Sequence, residues 1–336
     1  MTVETEIKTK KINIIQAVNE AIAEAMAADE KVLVLGEDVA DREGGGVVGV
    51  TRGLSTRFGD ERVRSTPIAE QAIMGAAIGA AMAGFKPVAE IMLMNFTTVA
   101  MDMIVNHAAK LRFMSGGQTS VPLVLRMMTG AGIASGGQHS DFLEAWFAHT
   151  PGLKVVIPSN PEDAKGLMLS CIADPDPCIF VECSRAYGTT AAVPVDLKPI
   201  PLGVAKVVQE GTDVTIISYS EIFARAQAAA KELEKDGISV ELIDLRTISP
   251  WDRETVLASV KKTGRAVVAH EAVKAFGVGA EIAATIQEEI FSSLKGPVIR
   301  LGAPFTSVPF SPVLEQAFLV QVPDIVAAAR KTLESN

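Results

Sequence analysis

The chain has 336 residues, 48% hydrophobic and 21% charged, with a formal net charge of −9. At the usual ~100–200 residues per domain this is room for two domains, each with a core of its own. The acidic balance and the lack of any basic stripe interleaved with aromatics exclude a nucleic acid or an anionic membrane as the expected partner.

The opening residues 1–11 are polar and charged, lack the apolar segment of a signal peptide, and read as an N-terminal extension. Ile14, Ile15, Val18, Ile22 and Met26 then recur at helical spacing. The apolar run Val32–Leu35 follows and Gly36-Glu37-Asp38 ends it, the helix–strand–loop order of α/β domains. The sequence Gly44-Gly45-Gly46-Val47-Val48-Gly49 matches the dinucleotide fingerprint literally. Polar Asp41-Arg42-Glu43 precedes it and Thr51-Arg52-Gly53 follows, so the required strand and helix are missing and it reads as a mobile loop.

Between Ser65 and Phe85 the one ionisable side chain is Glu70, at the head of a small, apolar run from Ala72 to Phe85. Pro67 suits the opening of a helix, and Gly75, Gly79 and Ala83 share a face that lets another backbone approach. The run is too short for a membrane span, which takes ~20 apolar residues. A carboxyl at the base of such a helix is expected to be buried, with its pKa raised until a neighbour shares its proton. That makes Glu70 a functional candidate. A first-turn Glu favoured by the helix dipole is the other reading, and the spacing leaves both open.

A strand is predicted over Pro87–Met94, a helix near Val99–Met114 and a strand over Pro122–Met127. Phe96, just past a strand end, suits either the core or a flat contact with a ligand ring. His139 lies in the glycine-rich stretch Ala134–Asp141, expected at the carboxyl edge of a sheet where α/β proteins place their sites. It reads either as a general acid or base or as a solvated loop residue. His107 and His149 read as structural, and His270 beside Glu271 as a site edge or a simple hydrogen-bonded pair. Strands at Lys154–Ile157 and Cys178–Glu182 flank a helix from Pro161 to Ala173. The odd set Cys171, Cys178 and Cys183 has neither zinc-ligand spacing nor a disulfide framework, so a reduced compartment and a cytoplasmic protein are expected.

Pro194, Pro199 and Pro201 mark 191–201 as a linker, between a first domain at 12–190 and a second at 202–336. Beyond it come strands at Val214–Ser218, Ser239–Leu245, Ala266–His270 and Val298–Leu301. Helices at Glu221–Lys235, Arg253–Lys262 and Gly279–Phe291 alternate with them, and a closing helix starts at Pro323. The expected fold class is α/β, two open sheets with helices on both faces. No Walker-type lysine motif, serine elbow or His/Cys metal cluster is present.

The stretches Ser65-Thr66-Pro67-Ile68-Ala69-Glu70, Gly79–Gly84, Gln138-His139-Ser140, Pro151–Val156, Glu162–Leu167 and Phe276–Glu281 together resemble the beta subunits of thiamine-diphosphate-dependent 2-oxo acid dehydrogenases. Gly49–Leu54 and Val308-Pro309-Phe310-Ser311-Pro312 are most similar to the acetoin dehydrogenase branch, with pyruvate and branched-chain enzymes near it. The resemblance implies a transketolase-like pyrimidine-binding domain followed by a transketolase C-terminal domain. It also implies that Glu70 bonds the pyrimidine nitrogen para to the exocyclic amine and so promotes loss of the thiazolium proton. Phe96 would stack on the pyrimidine, Ile68 and Met92 would line its pocket, and His139 would assist reductive acylation of a lipoyl group.

The family's potassium site falls on Leu123, Cys171, Ile172, Asp174 and Asp176, largely through main-chain oxygens. The magnesium-diphosphate motif Gly-Asp-Gly is missing, since Gly59-Asp60 is followed by Glu61. The resemblance therefore implies that an alpha subunit holds the magnesium in an alpha2beta2 heterotetramer, and that the acyl group passes to a lipoyl-bearing acyltransferase core. Half of a split transketolase and a non-catalytic scaffold are the competing readings.

Overall fold

The computed structural model describes residues 8–334. Most of the extension 1–11 lies outside that range, but Thr9–Asn13 is a strand paired antiparallel with Thr190–Pro194. The first residues of the segment read as a linker are thus sheet rather than connection. β-Branched Thr190, just before that segment, and Val193 within it suit a strand, and only the later prolines 199 and 201 break the chain.

A seven-stranded sheet runs in spatial order Thr247–Ser249, Lys154–Val156, Cys178–Cys183, Val124–Thr129, Lys86–Leu93, Val32–Gly36, Val63–Ser65. All pairings are parallel except that of Thr247–Ser249, which lies antiparallel to Lys154–Val156. The strands Cys178–Cys183 and Val124–Thr129 are buried throughout, as strands covered on both faces must be. Helix Ile14–Ala28 begins with a capping box, in which Asn13 and Gln16 exchange side-chain-to-backbone bonds of 2.9 and 3.0 Å. It packs against helix Pro161–Ala173, capped by Asn160.

The second sheet has five strands in the order Ile299–Ala303, Ala266–Val273, Val214–Ser218, Val240–Asp244, Lys206–Gln209. Its edge strand Lys206–Gln209 is antiparallel and the others are parallel. Two open α/β sheets are therefore present, as expected. The strand Thr247–Ser249 is an addition: the chain of the second domain returns to the edge of the first sheet and ties the two together. The helix expected over Val99–Met114 is broken, with Thr97–Asp102 passing into a wider turn at Met103–Ala108 and then Leu111–Met114. The amide of Ala109 bonds five residues back to Ile104. Ile104 and Ala108 keep helical spacing across the bulge, so the apolar pattern is silent about it.

Parallel register puts Gly36, Ser65, Leu93 and Thr129 at one edge of the first sheet. Inside that sheet Arg126 bridges its neighbours. Its Nε and Nη2 donate to Glu182 at 2.7 and 2.9 Å, its Nη1 donates to Glu90, and Tyr187 donates to Glu182 at 2.9 Å. These buried bonds tie three neighbouring strands together, although burial raises the pKa of Glu90 against the pull of Arg126.

Candidate functional site at the carboxyl edge of the first sheet

Phe96, His139 and Glu70 each follow one of those strand ends, and Met92 lies just inside one. Phe96 comes three residues after Leu93, and His139 lies in the short helical turn Gly137–Ser140 beyond Thr129. Their rings meet edge to face with centroids 5.4 Å apart. Asn95 joins the two segments: its Nδ2 donates to the Gly137 carbonyl at 3.0 Å and to Asp141 Oδ2 at 2.9 Å, while its Oδ1 accepts from the Asp141 amide. Thr129 adds a bond to the Asp141 carbonyl at 2.7 Å. Phe96 is half-buried and His139 exposed, so a fixed backbone presents an imidazole to the outside.

Glu70 opens helix Glu70–Met82 on the same edge. The carboxyl expected to be buried is only half-buried in this chain. The reason lies in the helix, which turns Ile73, Met74, Ala77, Ile78 and Ala81 to the core and leaves Gln71, Ala72, Ala76, Gly79 and Met82 outside. The small-residue run is thus largely a surface, and a Cβ built on Gly79 meets nothing within 4 Å. Ile68 is 84% exposed and touches no core, whereas Met92 is half-buried and packs against it.

Glu37, which the sequence reading passed over, follows Gly36 directly. It is buried with Oε1 unpartnered, and burial raises its pKa, with the charges of Glu70, Asp38 and Glu90 adding to the effect. Its place at a strand end was the available signal.

The second domain closes over the far side of this edge. A cavity of about 370 Å³ lies between the domains beside the His139 turn, lined by Ser140, Asp141, Glu271, Phe305, Ser307 and Phe318 among others. Glu271 is buried and accepts from the Ala131 amide at 2.7 Å and from Arg185 at 2.6 and 3.2 Å, so it belongs to the domain interface rather than to a simple pair with His270. His270 bonds the Ala272 carbonyl through Nδ1 at 3.1 Å, and burial pushes its pKa down to about 4.

Glu144 is a second carboxyl in that interface, accepting from Tyr219 Oη at 2.8 Å with Oε2 unpartnered. Burial pushes its pKa up to about 8, so near neutrality it carries a proton. An unfolded Glu titrates near ~4.3. From about pH 4.5 to 8 the folded state therefore holds a proton that the unfolded state has lost. Stability from this group falls as pH rises through that window and levels off above it. Glu144→Gln keeps an acceptor for Tyr219 and removes the titration. The variant's melting temperature should gain on the natural chain progressively from pH 5 to 8, by a free energy of up to about 5 kcal/mol at ~1.36 kcal/mol per pKa unit. His270 acts in the opposite sense at lower pH but is common to both proteins, so it cancels. A gap independent of pH would show that the carboxyl titrates as an ordinary acid.

Of the residues proposed for potassium, Cys171 and Ile172 close helix Pro161–Ala173, Asp174 and Asp176 follow it, and Leu123 precedes strand Val124–Thr129. Leu123 and Cys171 carbonyls accept from the Cys178 and Asp174 amides at 2.8 and 3.3 Å. Asp174 holds the Lys154 ammonium at 2.5 and 2.6 Å, and Asp176 accepts from Arg112 at 2.8 Å. Two protein cations thus answer the two carboxylates, so a further cation there would rest on the main-chain oxygens, each of which keeps a second lone pair. Ile172 is buried and contributes no side-chain oxygen. Among the described residues no cluster of three or more His, Cys, Asp or Glu side chains suited to a metal is present.

Two open α/β sheets with an aromatic ring, a helix-leading carboxyl and a histidine gathered at one edge define a transketolase-type chain. Family models agree: "Transketolase, pyrimidine binding domain" matches residues 10–189 and "Transketolase, C-terminal domain" residues 203–325. Among curated relatives, the beta subunit of acetoin:2,6-dichlorophenolindophenol oxidoreductase from Cupriavidus necator is 45% identical over 335 residues, 97% of this chain and 99% of its own length. The 2-oxoisovalerate dehydrogenase subunit beta of Chaetomium thermophilum is 47% identical over 97% of this chain and 69% of its own. The pyruvate dehydrogenase E1 component subunit beta of Bacillus subtilis is 44% identical over 96% and 99%. A solved structure described as a split-gene transketolase, inactive beta4 tetramer, superposes with a TM-score of 0.80 over 96% of this chain and 99% of that one, at 24% identity, and supports the fold. The chain belongs to the beta-subunit family of the thiamine-diphosphate-dependent acetoin, pyruvate and branched-chain 2-oxo acid dehydrogenases.

Proposed function

We propose that this chain is the beta subunit of an acetoin-cleaving dehydrogenase component, active with an alpha subunit in an alpha2beta2 heterotetramer and passing its acyl group to a lipoyl-bearing acyltransferase core in the cytoplasm. The observation that carries it is the edge where Phe96 and His139 are in ring contact, on the sheet whose outermost strand Val63–Ser65, two strands from Lys86–Leu93, leads to Glu70. Bound there, thiamine diphosphate would supply a nucleophilic carbon that takes up the acyl fragment. Glu70 would hold and exchange a proton at the pyrimidine ring nitrogen. Phe96 would offer a ring face, with Ile68 and Met92 as apolar lining. His139 would deliver a proton to the dithiolane sulfur released as the sulfur–sulfur bond opens.

The outward face of helix Glu70–Met82 and the exposed Ile68 are what a partner would cover, and that contact would complete the burial of Glu70. The edge is acidic, with Glu37, Glu70 and Asp141, and this argues against sugar phosphates as substrates. Rates of the reconstituted alpha–beta pair on acetoin, pyruvate and branched 2-oxo acids test the assignment. Acetoin should be preferred, and a preference for either oxo acid class would move the chain to that branch.

Magnesium and the diphosphate would be held by the alpha subunit, since Gly59-Asp60 is followed by Glu61 and the sequence has no Gly-Asp-Gly motif. Calorimetry on the chain alone with thiamine diphosphate and magnesium should show weak binding, strengthened on adding the alpha subunit. Tight, magnesium-dependent binding by the chain alone would reject the shared site.

A further inference from the structure

We propose that Glu315 is a positioning residue that sets the place of His139 from the second domain, with Glu271 as its companion; this rests on the reading of His139 as the group serving acyl transfer. Glu315 lies on helix Pro312–Phe318 and is 1% exposed. Its Oε1 accepts from the amides of Gly132 and Ala134 at 2.7 and 3.1 Å, and its Oε2 accepts from Ala134 at 3.0 Å. Glu271 takes the amide of Ala131. Three amides of the loop leading to His139 therefore end on carboxylates of the other domain.

The loop needs holding. Ala134 has φ 56°, in the left-handed region that side chains avoid, and Gly132 and Gly136 have φ 101° and 72°. The same segment of the second domain seats the next residues too. A Cβ on Gly136 would come within 2.4 Å of the Phe310 ring, and one on Gly137 within 3.3 Å of the Ser307 side chain. Gly137 in turn bonds Asn95, which precedes Phe96. From Glu315 to the imidazole the connection is continuous: a charge-assisted pair of amides, a glycine packed under Phe310, one helical turn, and the ring contact with Phe96. Acid–base groups work only when held within a fraction of an ångström, and ~1 Å of misplacement costs on the order of 10²-fold.

Glu271 also carries Arg185, so Glu315 is the cleaner test. In the reconstituted alpha–beta enzyme, Glu315→Ala should raise deuterium exchange of residues 130–141 by about tenfold or more. It should lower lipoyl acylation by roughly 10- to 100-fold while dye reduction stays within about twofold, following the cost of misplacement. Glu315→Gln keeps an acceptor oxygen for both amides and should recover most of the loss. Should the alanine variant fail to assemble, Glu315→Asp, whose shorter side chain draws the carboxylate back from both amides, carries the test, with a smaller shift of the same kind in exchange and in the lipoyl-to-dye ratio. Unchanged exchange in 130–141, an unchanged ratio, or equal losses in both half-reactions would overturn the proposal. His139→Ala run in the same assays separates the two claims. A loss confined to its lipoyl arm upholds the role of His139, so a null result from Glu315 then counts against the clamp alone.

Discussion

Glu70→Gln should lower turnover of the assembled enzyme by about 10²–10⁴-fold, the usual worth of a positioned general acid or base, with heterotetramer formation and melting temperature little changed. The substitution keeps the side chain's size and one carbonyl oxygen, so it removes proton exchange and little else. Structural damage should be slight because Glu70 stands half-exposed at the first position of helix Glu70–Met82, outside the buried set of that helix. Losing a negative charge at a helix N-terminus costs about 0.3–1 kcal/mol, far below the loss expected in rate. Steady-state kinetics alongside size-exclusion chromatography and thermal melting check this. Near-normal turnover in an intact tetramer would return Glu70 to the role of a dipole-favoured first-turn residue.

The sequence made the strands legible because parallel strands buried on both faces leave continuous apolar runs, as at Val124–Thr129 and Cys178–Cys183. Composition misled at Glu70. An alanine- and glycine-rich helix has the same residues whether it lines a core or awaits a partner, and only the turn of the helix on the sheet distinguishes Ala77, buried, from Ala76, exposed. His139 was placed at a sheet edge by the strand before it, but its contact with Phe96 depends on Asn95 bridging two strand ends, which no local pattern encodes. Glu271 and Glu315 were invisible as functional residues for a related reason. Their meaning lies in amides 140 and 183 positions away in the chain. The strand Thr247–Ser249 is too short to show alternation, and its partner lies in the other domain. The potassium reading came from resemblance alone and rests largely on main-chain oxygens, which no side-chain pattern marks; Lys154 and Arg112 pair with the two carboxylates beside them.

His139→Ala should cripple lipoyl acylation while leaving the first half-reaction, followed by reduction of an artificial dye, within a few-fold of normal. The imidazole is exposed, so a dithiolane on a swinging arm can reach it, and its backbone is fixed from both sides by Asn95 and by the second domain. An imidazole is the side chain suited to give and regain a proton near neutral pH. Loss of that proton transfer is worth about 10²–10⁴-fold in the step it serves. Glu70, acting before any acyl group is formed, should by contrast damage both half-reactions alike, so the pair of variants dissects the two stages on one assembled enzyme. Removing the ring also leaves the Phe96 edge uncovered, which predicts a small, equal effect on both rates from looser packing. Only the excess loss in the lipoyl arm measures acyl transfer. Equal losses in both assays would make His139 a group that positions the cofactor or binds substrate, and unchanged rates would return it to a solvated loop residue.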